Sequence, residues 1–405
     1  MSASAWKWFN PVLILIFLGV TAAILILYPN EILYDQYAIR HIFSFEHFPK
    51  IVNGLGLNLF VGIYNRIIAP DFATIDSHMR IVTMLFFSVP SLLLGRLWLG
   101  DTRYFTVFIL TFFGSRFPML WLCVEQIAGG ALLWFMYCYF SGRKIWITQF
   151  CLFFYGIVKP EMIFGAVLLL GWIVWNEKDR KKRIEMLAWF GGFHGVLHLT
   201  GVATYGLDYF VSSGQRAYDA VIQHYSDLFF KHQVGEGVPV PFDQAGDWRD
   251  KMFPEAHSVL TFLWHYPSHY MDFVALSFAR GIKRVLVLMH LFCLLFPIRW
   301  SVLRFYGIGL SRQEKMVCVS LLGLLPIVLL AFPHIRYLTR FYPAALAAVI
   351  LFWKISLEHQ DLRVRRVGVV LVTPVILLGS MVTLILYFQD ILHLGTHQGL
   401  YWFPD

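Results

Sequence analysis

The chain has 405 residues, 58% of them hydrophobic and 14% charged, with a mean hydropathy of +0.62. A soluble globular chain carries roughly 25% charged residues, so this one lacks the polar material to cover a water-facing surface. That excludes a soluble enzyme, a nucleic-acid-binding protein and a disordered scaffold, and the formal net charge of +8 reads as basic loops on one side of a membrane.

A membrane span needs about 20 mainly apolar residues. In chain order the candidate segments are 10–28, 79–97, 104–115, 119–140, 145–158, 161–175, 184–203, 283–298, 316–332, 341–356 and 367–388. The expected fold class is therefore an all-α polytopic membrane protein of about eleven spans, one integral membrane domain over 1–405. Lys7 precedes the first apolar run and no small-x-small site follows it, so that run is expected to remain as an uncleaved first helix. Two connections are long: 29–78, which carries an acidic motif, and 204–282, whose aromatic stretches 209–231 and 256–279 are expected to form external amphipathic helices. The five cysteines all fall in apolar runs, so no disulfide framework is expected.

Lys and Arg gather in alternate connections. Lys7, Arg96, Arg103, Arg143, Lys144, the run 176–183 (NEKDRKKR), the segment 299–315, Lys354, Arg363, Arg365 and Arg366 all fall on one side if the N-terminus is inside. The positive-inside tendency makes that side cytoplasmic. The remaining informative polar residues then reach the external face together.

After the first span come Glu31 and Asp35, i and i+4, which share a face on a short helix. A partly shielded carboxylate there can act as a general base toward a hydroxyl; a solvated capping cluster is the alternative. Arg116 precedes the fourth span, and Glu125 lies within it, where a charge costs roughly 2.5–3.5 kcal/mol unless it meets a wet cavity or a partner. A cavity role is expected for Glu125, against a structural ion pair with Arg116 or Lys159. Lys159-Pro160-Glu161 is a compact polar break between two apolar runs.

His194 and His198 are four apart; lacking a third ligand, they read as histidines bonded across helices rather than a metal pair. Arg280, Lys283 and Arg284 form a basic stripe entering the membrane from the external side, suited to a lipid phosphate or to ordinary headgroups. His334, Arg336 and Arg340 crowd one short turn, and arginine's planar fork suits phosphate oxygens. There is no Walker motif, nucleophile elbow or zinc motif.

These residues resemble the GT-C membrane glycosyltransferases that use polyprenyl-phosphate sugars, in particular the group with protein O-mannosyltransferases and the lipid A aminoarabinose transferase. The resemblance rests on Glu31-Ile-Leu-Tyr34-Asp35-Gln-Tyr37, on Trp264-His-Tyr-Pro267-Ser-His-Tyr270 leading into Arg280 and Lys283, and on His334-Ile-Arg336-Tyr337 with Tyr342-Pro343. Several members pair an Asp directly with a Glu in the first loop, whereas here Asn30 precedes Glu31. Asp35 is preferred as the base, since Asp35-x-Tyr37 with Arg40 nearby is also similar to the first-loop motif of oligosaccharyltransferases.

What the resemblance implies is an inverting transfer at the external face. Asp35 or Glu31 would deprotonate the hydroxyl of a membrane lipid or glycan acceptor. Arg280, Lys283, Arg284, His334, Arg336 and Arg340 would hold the departing phosphate, with Tyr37, Arg116, Glu125, Lys159, Glu161 and Tyr337 lining the cavity. No cofactor is expected, the lipid-linked sugar being a co-substrate; no metal is favoured, although the oligosaccharyltransferase branch uses one. A bacterial inner membrane with a periplasmic active site is the expected location. A flippase for a lipid-linked saccharide and a membrane O-acyltransferase centred on His194 or His198 are the alternatives.

Overall fold

The apolar runs fold as helices. The computed structural model describes residues 3–27, 55–68, 75–115, 123–159, 161–205, 222, 225, 245–330 and 335–393, and every element among them is helical. In chain order these are α1 (Ala3–Leu27), α2 (Leu55–Ile68), α3 (Ile75–Leu99), α4 (Arg103–Gly114), α5 (Cys123–Phe140), α6 (Ile145–Val158), α7 (Met162–Asn176) and α8 (Arg180–Tyr205). Then follow α9 (Ala245–Met252), α10 (Val259–His265), α11 (Pro267–Met289), α12 (Leu295–Tyr306), α13 (Arg312–Leu322), α14 (Leu325–Leu330), α15 (Ile335–Thr339), α16 (Tyr342–Glu358), α17 (Leu362–Val367) and α18 (Thr373–His393). A 3-10 turn, His290–Leu294, separates α11 from α12, and a π turn, Gly368–Val372, joins α17 to α18.

Four stretches are long and apolar enough to cross a membrane: Ala5–Ile26, His78–Leu99, Pro267–Tyr306 and Leu362–Gln389. The chain is an integral membrane protein. The apolar helices α4, α6 and α7 are shorter, so among the described residues four stretches reach the length and composition of a full span, fewer than the eleven expected.

Helix α5 sits at the centre, packed mainly on α3 and α6. Lipid tails are as apolar as leucine, so helices associate in a membrane through close packing and hydrogen bonds. Gly129 and Gly130 permit the approach. A Cβ on Gly130 would stand 2.5 Å from the Phe86 carbonyl oxygen, and one on Gly129 2.7 Å from the Phe87 ring. Buried hydroxyls add cross-ties: Thr106 donates to the Asn10 side-chain oxygen at 2.6 Å, and Thr111 to Ser380 at 2.7 Å.

The connections rich in Lys and Arg meet at one end of this bundle. Arg312, entering α13, donates to the Tyr139 hydroxyl near the end of α5. Lys354, late in α16, donates to the Leu99 carbonyl at 3.3 Å, and Asn10 lies 3.4 Å from Asp101 in the α3–α4 turn. Arg299 forks onto Glu314 at 2.7 and 3.1 Å. Five segments far apart in sequence therefore share one face.

Several boundaries differ from the sequence reading. The segment 283–298 is part of a longer stretch, Pro267–Tyr306, whose helix begins at Pro267 and is interrupted at His290, a non-glycine residue at φ 31°. The segment 316–332 is interrupted at Gly323, where a Cβ would lie 2.9 Å from the Gly165 Cα, so α7 and α13 touch backbone to backbone. Inside the expected loop 29–78, α2 buries Val61 and packs on α6. The stretch 256–279 forms α10 and the first half of α11 rather than one helix.

A second, small core gathers Ile222, Tyr225, Phe253, Phe262 and Phe273 from the long connection. Burial, aided by the Asp272 carboxylate, pushes the Tyr225 phenol up to about 12, so it stays protonated at physiological pH. Leu260 and Trp264 remain exposed on α10.

Candidate functional site

The opposite end of the bundle holds a buried ionic cluster. Glu125 stands in the first turn of α5. Lys159 ends α6 in an extended conformation, φ −141° and ψ 149°. Its neighbour Pro160 is the cause, because the proline ring excludes the helical region for the preceding residue. Freed from the helix, Lys159 reaches the Glu125 carboxylate at 2.6 Å.

Arg340 joins the pair from the turn between α15 and α16. Its Nη1 lies 3.8 Å from the other Glu125 oxygen and donates to the Met162 sulfur of α7. The three charged side chains are 1% exposed at Glu125, 15% at Lys159 and 1% at Arg340. Tyr337 offers its ring face to both cations, with the Lys159 nitrogen at 5.0 Å and the guanidinium carbon at 5.8 Å. Gly129 makes room, since a Cβ there would meet the Arg340 Cα at 2.9 Å.

Hydrogen bonding is incomplete at this point among the described residues. Two cations share one carboxylate, and Nε and Nη2 of Arg340 have no hydrogen-bond partner among the described residues. An unmet buried donor on a charged group costs more than the roughly 1–3 kcal/mol of a neutral one. A planar fork with free N–H groups in a dry setting suits an anion with several oxygens.

Arg80 extends the positive character. The contacts of Phe86 with Gly130 and of Trp98 with Phe140, whose rings are 5.4 Å apart, make α3 and α5 parallel. That register sets Arg80, 4% exposed, at the depth of Glu125 and Gln126.

Of the residues singled out in the sequence, Glu125, Lys159, Tyr337 and Arg340 come together. The Glu125–Lys159 contact is the ion pair weighed above against an open cavity role. Glu161 is half-buried where α7 begins, and Arg336 lies on α15. Helix α11 packs on α14 and α15, which brings the basic stripe toward the same end. The stripe is split, however: Arg284 is buried and Arg280 half-buried, one turn apart, whereas Lys283 is exposed on another face. Glu31, Asp35, Tyr37, Arg116 and His334 lie outside the described residues.

His194 and His198 contact one another along α8, Nδ1 to Nε2 at 3.3 Å, and His194 meets the Phe153 ring of α6 at 4.8 Å. No cluster of three or more His, Cys, Asp or Glu side chains occurs among the described residues.

The sequence reading missed Arg80 and Met162. A signal existed for Arg80, a cation opening an apolar run (Met79-Arg80-Ile81). None existed for Met162, whose sulfur matters only because Arg340 folds against it. No family model, curated protein or solved structure matches this chain.

Proposed function

We propose that the chain transfers a sugar from a polyprenyl-phosphate donor to the hydroxyl of a membrane lipid or glycan, as a GT-C-type enzyme of about eleven spans. The observation that carries this reading is Arg340. Among the described residues, Nε and Nη2 of its buried guanidinium have no hydrogen-bond partner, and a planar fork with such donors suits a departing phosphate. The basic helix α11, packed on α15, supports the same assignment for Arg280, Arg284 and Arg336; for Lys283 and His334 the phosphate role is part of the proposal only.

The reaction balances without a nucleotide. The acceptor oxygen attacks the anomeric carbon as the bond from that carbon to the phosphate oxygen breaks, inverting the centre. The hydroxyl proton passes to Asp35, with Glu31 as the alternative base, and the polyprenyl phosphate leaves carrying the negative charge. The gathering of the basic loops at the other end supports a reaction on the external face, periplasmic if the membrane is a bacterial inner membrane.

The test is consumption of a panel of polyprenyl-phosphate monosaccharides by the purified full chain, with a membrane-lipid extract as acceptor. Wild type should consume one donor, and Asp35→Asn should slow it roughly 10²–10⁴-fold without loss of folded protein. Loss with Glu31→Gln alone keeps the reaction and moves the base. A folded wild type that consumes none overturns the reading in favour of the flippase or the acyltransferase.

A further inference from the structure

A cleft of about 280 Å³ opens at the basic end of the bundle, far from the Glu125–Arg340 cluster. Pro297, Ser301, Val302 and Phe305 of α12 form one wall, and Val367 and Leu371 form the other. The Ser301 hydroxyl is spent on the Pro297 carbonyl at 2.9 Å, and Tyr306 is the other polar side chain of a mainly apolar lining.

The second wall is built on the π turn Gly368–Val372. An i→i+5 turn is wider than an α turn, is rare, and where it occurs is frequently at a functional site. Here it is held from outside: the Thr373 hydroxyl donates to the Gly368 carbonyl at 2.8 Å and accepts from the Trp353 indole at 2.8 Å. Gly368 lies tight on α16, since a Cβ there would meet the Ser356 Cβ at 3.0 Å. The turn is thereby fixed, and it leaves Val369, Val370 and Leu371 exposed, between 48% and 65%.

Exposed arginines flank the lining residues along the chain. Arg363 precedes Val367 by one helical turn and so shares the face of Val367, on the side away from the membrane interior. Arg304 flanks Ser301 and Phe305 on α12. Both arginines are exposed, as are Arg365 and Arg366. A mainly apolar slot flanked by exposed guanidinium groups matches an amphiphile with an acyl chain and an anionic head.

We propose that this cleft binds one anionic phospholipid from the leaflet at the basic end, its acyl chain between α12 and the π turn and its phosphate on Arg304 and Arg363. The charge of these arginines selects an anionic lipid over a zwitterionic one. The π turn supplies the width of the slot.

The test is native mass spectrometry of the full chain in detergent, titrated with phosphatidylglycerol or with phosphatidylcholine of the same acyl chains. Each basic residue near an anionic surface contributes roughly five-fold, so the wild type should prefer phosphatidylglycerol by about 25-fold. Arg304→Gln/Arg363→Gln should erase the preference while leaving weak binding of both lipids. Ser301→Trp, which fills the slot, should remove the first bound lipid of either kind, and glycerol 1-phosphate should displace nothing. Equal binding of the two lipids by wild type, or a preference that survives the double arginine exchange, would overturn the proposal. So would displacement by undecaprenyl phosphate at lower concentration than phosphatidylglycerol, which would assign the cleft to a polyprenyl tail.

Discussion

Removing the Glu125 carboxylate should be more damaging than removing either cation that faces it. Glu125 is 2.6 Å from Lys159 and 3.8 Å from Arg340, and both it and the arginine are 1% exposed. Breaking a buried pair from one side costs about 3–5 kcal/mol, because the remaining charge is left in a dry site. Glu125→Gln removes the carboxylate that both cations share and belongs at the top of that range. Lys159→Met instead leaves Glu125 with Arg340, which needs to move by less than 1 Å to reach hydrogen-bond distance. Its cost should be about 1–3 kcal/mol, including the loss of the cation–π contact with Tyr337. The assay is thermal unfolding of the purified variants in one detergent, followed by intrinsic fluorescence. At roughly 2 °C per kcal/mol for a chain of this size, Glu125→Gln should unfold about 8–10 °C below wild type and Lys159→Met about 2–6 °C below. Glu125→Gln should also regain part of its loss in millimolar pyrophosphate, an anion that can stand in for the carboxylate. A Lys159→Met chain at least as unstable as Glu125→Gln, or both within 1 °C of wild type, would refute the electrostatic reasoning.

Four other changes probe separate parts of the structure. Arg340→Lys keeps the charge but loses the planar fork, so donor consumption should fall about 10²-fold with an unfolding midpoint within 3 °C of wild type; full turnover in Arg340→Lys would remove the phosphate role from this residue. Gly129→Ala sets a Cβ 2.7 Å from the Phe87 ring and 2.9 Å from the Arg340 Cα, and overpacking of this kind costs about 1–3 kcal/mol, read as a lower midpoint; a midpoint equal to wild type would mean that α3 and α5 are free to part there. Thr373→Val deletes a hydroxyl that serves two buried partners and should cost about 1–3 kcal/mol, whereas Ser301→Ala, which removes a hydroxyl bonded only within its own helix, should be near neutral.

The helical class and the partition of basic and other polar segments between two ends were readable from hydropathy and charge. Hydropathy cannot find a break inside an uninterrupted apolar run, and this is where boundaries failed. His290 sits amid Val285–Leu295 with no proline or glycine to mark it, and its turn is imposed by tertiary packing. Gly323 was visible as a letter, but its meaning depends on Gly165, more than a hundred residues away, lying against it. Helix α2 escaped because Asn58, Asn65 and Arg66 dilute its apolar pattern, although it buries Val61. At the candidate site, burial depth flagged Glu125 and Lys159-Pro160-Glu161 flagged itself as a break. Their pairing could not be chosen over Arg116 without knowing that Pro160 turns Lys159 out of its helix. The splitting of Arg280, Lys283 and Arg284 between two faces likewise depends on which side of α11 meets α14 and α15.

The spacing of the ionic cluster along the chain also constrains how the protein is made. Glu125 and Lys159 are 34 residues apart, close enough to leave the ribosome as one helical hairpin, α5 with α6. Offered to the translocon alone, α5 would carry its carboxylate into the lipid at a cost of roughly 2.5–3.5 kcal/mol; offered as a hairpin, it enters already neutralised. Arg340 is synthesised far later, 178 residues beyond Met162, and can dock only after the rest of the bundle has gathered. A nascent chain halted between Phe140 and Lys159 is therefore the stage at which biogenesis is most exposed to quality control, and a chain halted before Arg340 is a near-complete bundle still missing its last buried charge.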